Sequence, residues 1–200
     1  MDPSVLRAFV PAQLELDIHE GAAWVSIVAF TMQRIRPREL PAFAPLSNFH
    51  EVNVRTYVRH KDKFGVYFLS IEAGSHVACM LARRLSVLPY RHAIISRSMG
   101  AFRSSSIHGE TLELRFRAGT RMTVKSDRDR WLTERYALFQ NAEGSMMRYE
   151  THHDEWPLHT CELLEWRREQ PRWPGLLGAS PDAVHYSPGV AVLAWEAQTC

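Results

Sequence analysis

The sequence predicts a β-dominated α+β domain, a curved or barrel-like sheet with two helices packed on it. Three observations lead there. Alternating apolar and polar residues recur along most of the 200-residue chain, only two stretches carry apolar residues at spacings of three and four, and no internal repeat divides it. A single domain, residues 1–200, is the expectation at this length, with enough chain to bury a core.

The elements follow in order. AWVSIVAFTM (residues 23–32) is apolar and β-rich. RPRELPAFAPLSNF (residues 36–49) carries Pro37, Pro41 and Pro45, which suppress regular structure, and predicts a loop across the mouth of the sheet or between subunits. HEVNVRTYVRH (residues 50–60) alternates strictly, with Val52, Val54, Thr56 and Val58 on one face and Glu51, Asn53, Arg55 and Tyr57 on the other. FGVYFLSIE (residues 64–72) follows after a short polar link, a hairpin signature. Ser75 is placed to cap a helix over residues 75–88. Its stripe is Val77, Met80, Leu81, Arg84, Leu85 and Leu88, and Pro89 ends it. Strands are expected at residues 92–99, 101–106 and 111–117. Ser126 with Asp129 resembles a capping box opening a second helix over residues 127–140, with Trp131, Leu132, Arg135, Tyr136 and Phe139 as its stripe. Strands at 146–151, 161–166 and 190–195 complete the list, with a Gly- and Pro-rich loop at 173–188.

Composition excludes several function classes. The hydrophobic fraction of 46% and charged fraction of 23% are those of a globular domain. No apolar run reaches the ~20 residues of a membrane span, and the N-terminus lacks the pattern of a signal peptide. Basic residues are scattered and the net charge is +2, so neither a nucleic acid nor a membrane is an expected partner. Three widely spaced cysteines (Cys79, Cys161 and Cys200) suit a reducing cytoplasm, the expected location. HHDEWPLH (residues 152–159) is the most metal-like window. Pro157 interrupts it and its spacing fits no standard zinc site, so packing or solvation of its histidines is expected, with no metal or cofactor. Only Lys61, Lys63 and Lys125 are lysines, leaving three candidates for any amine nucleophile.

The polar face of residues 50–60 is the strongest candidate site. Glu51 and Arg55 lie four residues apart on one face, ~13 Å along a strand, too far to pair with each other. Each needs another partner if buried. Arg135, sharing a stripe with Trp131 and Phe139, poses the same question. The residues alone leave ion pairing and ligand binding open.

RPREL-P, NFHEVNVRTYV, GVYFLSIEA, ARRLSVLPY, LTERYALF and YSPGVAVLAW, in that order between Trp24 and Trp195, resemble the YqjF-like family of uncharacterised bacterial proteins. That resemblance implies the acetoacetate decarboxylase-like fold, an antiparallel β-cone or barrel enclosing a pocket. Family members usually open with another strand before the segment like VLRAFVPAQLELD, so that edge of the sheet is expected to be missing or rebuilt.

Acetoacetate decarboxylases carry a segment like GRELxxYPKK, whose first lysine forms the Schiff base. In ARRLSVLPYRH (residues 82–92) Arg83, Leu85 and Pro89 keep the pattern, Tyr90 stands at the nucleophile's place and Arg91 at its neighbour's. FHE matches the decarboxylase pattern YxE and puts Glu51 at a pocket-facing position. The resemblance thus implies that the face of Glu51, Asn53, Arg55 and Tyr57 looks into the cone. It supports a protein that binds a small carboxylic or keto acid without Schiff-base chemistry. Glu51, Arg55 and Tyr90 are the expected catalytic or ligand-orienting groups, with Asn53, Tyr57, Arg83, Arg91 and Arg135 as further ligand contacts. The alternatives are a lysine-independent lyase, hydratase or isomerase acting on a carbonyl acid, and a non-catalytic protein whose Glu–Arg–Tyr set only stabilises the cone. The oligomeric state is open, a homo-oligomer included.

A phenol cannot form an imine, so treatment with acetoacetate and borohydride is expected to leave no covalent adduct on residues 82–92. Mass spectrometry of the treated protein checks this, and an adduct accompanied by acetoacetate turnover would refute it.

Overall fold

In the computed structural model, residues 1–36, 41, 43 and 47–200 are described, and strands dominate them. The loop expected at residues 36–49 therefore lies largely outside the described residues. A short helix α1 (Pro3–Arg7), capped by Asp2 with Pro3 in its first turn, opens the chain. Strands β1 (Glu15–Leu16), β2 (Val25–Met32), β3 (Phe49–His60) and β4 (Lys63–Ala73) lead to helix α2 (His76–Leu85). Strands β5 (Tyr90–Ser98), β6 (Ala101–Ser106) and β7 (Thr111–Arg121) precede helix α3 (Asp127–Thr133). Strands β8 (Ala137–Ala142), β9 (Ser145–His153), β10 (His159–Glu169), β11 (His185–Tyr186), β12 (Val192–Ala194) and β13 (Gln198–Thr199) finish the chain. None of the described helices is long and apolar enough to cross a membrane.

The strands form one sheet that divides at β4. On one edge β4 pairs antiparallel with β3 along nearly its whole length, from Lys63 opposite His60 to Ala73 opposite Glu51. On the other edge its C-terminal residues Ile71–Ala73 run parallel to the start of β5, and Val66 and Tyr67 run parallel to β8. From β5 one arm continues through β6, β7 and β10 to β11; from β8 the other continues through β9 to β12. Most pairings are antiparallel, as expected, and the two parallel ones mark the division.

One face of β3 supplies the core. Val54 and Val58 join Leu6, Leu14, Ala137, Phe139 and Trp173, while Val52 meets Phe102 and Leu112. Gly65 is needed at the division, because a Cβ there would run into the Ala137 carbonyl and the Phe139 ring. Glu143 and Gly144, both at positive φ, form the two-residue turn that folds β9 onto β8.

The helix expected over residues 127–140 ends at Thr133. Its capping box is present as expected. Beyond it, residues 137–142 pair with both β4 and β9, so Phe139 faces the core from a strand rather than a helix. Long-range pairing overrides the local stripe. Helix α2 also differs in orientation from its sequence pattern. Its small residues Ala78 and Cys79 are buried, while Val77, Met80, Leu81 and Leu85 are exposed. The small side chains allow close approach to β4, where the Cys79 thiol contacts the Ala73 carbonyl at 3.7 Å.

Substitution Gly65→Ala is expected to destabilise the fold by roughly 1–3 kcal/mol, since the backbone of β8 must shift to admit the methyl group. Denaturant unfolding of the variant beside the parent measures it.

Candidate functional site

Glu51, Asn53 and Tyr57 are buried and Arg55 is half-buried, so the polar face of β3 does not face open solvent. On the valine face Val52 packs toward β6 and β7 while Val54 and Val58 pack toward α1 and β8, and the polar face lies under the two larger helices and the start of β5.

Strand register assembles the half nearest α2. In adjacent strands, residues directly opposite share a face. Glu51 is opposite Ala73 on β4, which is level with His92 on β5; Asn53 is opposite Ile71, which is level with Tyr90. Glu51, Asn53, Tyr90 and His92 therefore share one face across three strands. Burial pushes the Glu51 carboxyl up to about 7, and hydrogen bonding from the Asn53 and Tyr90 side chains only partly offsets that cost. Burial, reinforced by the charge of Glu51, pushes the Tyr90 phenol well above its usual range, so it remains a donor. Among the described residues, Glu51 Oε2 and Asn53 Oδ1 are buried with no hydrogen-bond partner.

A groove of about 290 Å³ lies between α2 and β5, lined by His76, Cys79, Met80, Arg83, Arg84 and His92. Of these, the Cys79 thiol is raised by burial and also feels the charge of Glu51. The Arg83 Nε donates to the Tyr90 carbonyl at 2.7 Å, fixing the start of β5 beneath the helix.

The half nearest α3 is more nearly closed. The Leu132 carbonyl, freed by the end of α3, accepts from Arg55 Nη2 at 3.2 Å and from the Tyr57 hydroxyl at 3.1 Å. The Ser26 hydroxyl is 2.6 Å from the Tyr57 oxygen. Arg135 pairs with Asp17 at 2.6 Å, donates to the Trp131 carbonyl and lies over the Trp131 and Tyr57 rings. Its charge is thus matched within the protein. Arg55 Nε is buried without a hydrogen-bond partner among the described residues.

Arg91, expected beside Tyr90, takes the opposite face because neighbouring strand residues alternate. It is level with Glu72, on the side where Arg172 reaches Glu72 (4.0 Å) and Glu110. Lys125 is buried, ion-paired to Glu134 (3.0 Å) and Glu155 (3.1 Å). In the histidine window, His153 is buried and stacks on Tyr136. Among the described residues no group of three His, Cys, Asp or Glu side chains is placed to hold a metal.

Comparison with known proteins bears on this arrangement. The model of a family described as uncharacterised conserved protein, DUF2071, matches residues 1–191. The chain belongs to that family. It is 36% identical over 170 residues to the uncharacterised protein YqjF of Bacillus subtilis (strain 168), covering 81% of this chain and 70% of that one. An acetoacetate decarboxylase from Legionella pneumophila superposes over 100% of this chain and 80% of its own, with a TM-score of 0.58 at 14% identity. The enduracididine biosynthesis enzyme MppR complexed with pyruvate covers 100% and 82%, with a TM-score of 0.56 at 11% identity. Family membership and the decarboxylase-like fold both match the sequence resemblance.

Sequence reasoning did not find Cys79, His76 or His92. Their shared groove depends on α2 docking over β5, which no local spacing reports. The Asp17–Arg135 pair spans 118 positions and left no signal beyond the demand of a buried arginine for an anion.

The Glu51 carboxyl titrates near 4.5 unfolded and near 7 folded, so the folded state holds its proton more tightly. Its contribution to stability is fully present below 4.5 and is lost as pH rises through 7. Substitution Glu51→Gln removes this dependence. Between pH 4.5 and 8 the stability of the variant relative to the parent is expected to rise by on the order of 3 kcal/mol, read from urea midpoints across pH.

Proposed function

We propose that the chain binds a small carboxylic or keto acid against the Glu51–Asn53–Arg55 face, without Schiff-base chemistry. One observation carries this. Three alternate residues of β3 each hold a buried polar atom without a hydrogen-bond partner among the described residues: Glu51 Oε2, Asn53 Oδ1 and Arg55 Nε. Each such atom costs ~1–3 kcal/mol if left bare, and although bare atoms occur elsewhere in the fold, Arg135 Nη2 among them, three on alternate residues of one strand face lie within reach of one ligand. A ligand offering both donors and acceptors would satisfy all three.

The roles follow from position. Arg55 has a free Nε beside a guanidinium otherwise anchored on Leu132, and suits a carboxylate or enolate oxygen. Tyr90 stays protonated and donates where the decarboxylases have their lysine. Arg83 supports Tyr90 through its carbonyl rather than through the ligand. Tyr57 and Arg135 are engaged by Ser26, Leu132 and Asp17, which supports a positioning role for them.

A second reading, proton transfer to a bound carbonyl acid, is favoured by the Glu51 carboxyl at about 7. An acid poised near neutral pH can both give and take a proton. This reading covers a lyase, hydratase or isomerase that needs no amine.

A thermal-shift and calorimetric titration with pyruvate and acetoacetate tests the binding reading. Binding to the parent is expected, with affinity falling about tenfold or more in Arg55→Gln and in Tyr90→Phe. Absence of binding by both acids, or unchanged affinity in both variants, would sink it. Solvent-deuterium exchange into bound pyruvate, lost in Glu51→Gln, separates proton transfer from binding alone.

A further inference from the structure

Strand β2 has an open edge. It pairs antiparallel with β3 along its whole length, from Val25 opposite Thr56 to Met32 opposite Phe49. No described strand pairs with its other edge. Among the described residues, no loop backbone or side chain hydrogen-bonds to the main chain of residues 25–32 either; Ser26 and Thr31 are engaged only through their hydroxyls. The chain leaving β2 is tied to the segment entering β3. There the Arg34 amide donates to the Asn48 side chain at 2.8 Å and the Ile35 amide to the Ser47 carbonyl at 3.2 Å.

Open edges elsewhere in this sheet are blunted. Strands β11 and β12 have two and three residues. Strand β10 has no strand on one side beyond Thr160 among the described residues, and it carries Glu162, Glu165, Arg167, Arg168, Glu169 and two register breaks. Short strands, charges and bulges keep an edge from recruiting another chain. Strand β2 has none of these devices: VSIVAFTM contains no charged residue and no proline, and its register against β3 is unbroken. Among the described strands of more than three residues only β8 is likewise uncharged, and it is paired on both edges. All eight residues of β2 are half-buried rather than buried, leaving apolar surface on both faces for a neighbour to cover.

We infer that β2 pairs with β2 of a second copy of this chain, antiparallel about a two-fold axis, so that two sheets join as one. An uncharged edge fits an uncharged strand, and two copies of this one meet without setting like charges opposite each other. The edge offers no charge to select an acidic or basic peptide from another protein. Antiparallel pairing of a strand with itself is isologous and closes at two subunits. A two-fold axis perpendicular to the sheet keeps corresponding faces on one side. The Glu51–Asn53–Arg55 faces of both copies then look the same way, with two β2 strands between their β3 strands, which are ~14 Å apart. Val28 and Phe30, level with Asn53 and Glu51, gain side chains of the second β2 as neighbours.

Sedimentation velocity of the full chain over a concentration series tests it, with hydrogen exchange read by mass spectrometry at both ends of the series. A monomer–dimer equilibrium is expected, with residues 25–32 exchanging about tenfold or more slower at the dimer end. Val28→Lys and Val28→Glu each place like charges near the two-fold axis, and each is expected to raise the dissociation constant about tenfold or more. An equimolar mixture of the two variants is expected to dimerise again, which misfolded chains would not do. A parent that stays monomeric at every concentration overturns the inference. So does protection of residues 25–32 that is already present in the monomer, since another segment then holds the edge. A dimer that leaves exchange in residues 25–32 unchanged, or that both variants leave intact, also overturns it and puts the interface elsewhere. The exchange measurement on the parent decides the matter even where a substitution prevents folding.

Discussion

Strand β4 has two edges and three neighbours, and the rest of the structure depends on how they share them. Strand β3 takes one edge. The other is divided between β8 near Val66 and β5 near Ile71, and each gains only two or three paired residues from it. Both are parallel pairings, which need long crossover connections, and the helices lie in those connections: α2 between β4 and β5, α3 between β7 and β8. Each helix is thereby returned to the same face of β3. The polar face ends under α2 and α3 because of the division of β4, not because of anything in β3 itself.

Burying that face divides it chemically. Under α3, where backbone carbonyls at the helix end are close, Arg55 Nη2, Tyr57 and Arg135 find partners within the protein. Under α2 the nearest groups are the Cys79 thiol, the Tyr90 phenol and the Asn53 side chain, whose hydrogen bonds only partly offset the cost of burying a carboxylate. Glu51 is consequently held near neutral titration. The same four-residue spacing that prevents Glu51 and Arg55 from neutralising each other keeps both available to something else.

The period-2 signal of residues 50–60 was legible because β3 is buried on both faces with chemically different partners, so valines and polar residues had to alternate. The caps at Ser75 and Ser126 are local devices, and local devices can be read. Residues 134–140 misled because Arg135, Tyr136 and Phe139 also fit a helical stripe, while the strand partner of Phe139, Tyr67, is about seventy positions earlier. The exposed face of α2 misled for a related reason: an apolar stripe reports amphipathicity, but Ala78 and Cys79 were selected for closeness. Of the site, Glu51 and Tyr90 were expected together only from the family resemblance. The groove and the unsatisfied atoms belong to the assembled fold and to no segment of the sequence.

The division of β4 also orders events in time. The β3–β4 hairpin closes through a link of two residues and can form early, since its contacts are close in sequence. Its second edge then waits for residues 90–92 and 138–139, and during that wait the amides on the open edge of this eleven-residue strand are unsatisfied. An arriving β8 must also meet a glycine whose missing side chain is the only room available. Crowded refolding therefore sets β5 and β8 against the edges of other chains, and the yield of native protein should fall with concentration faster than the stability of the finished fold suggests.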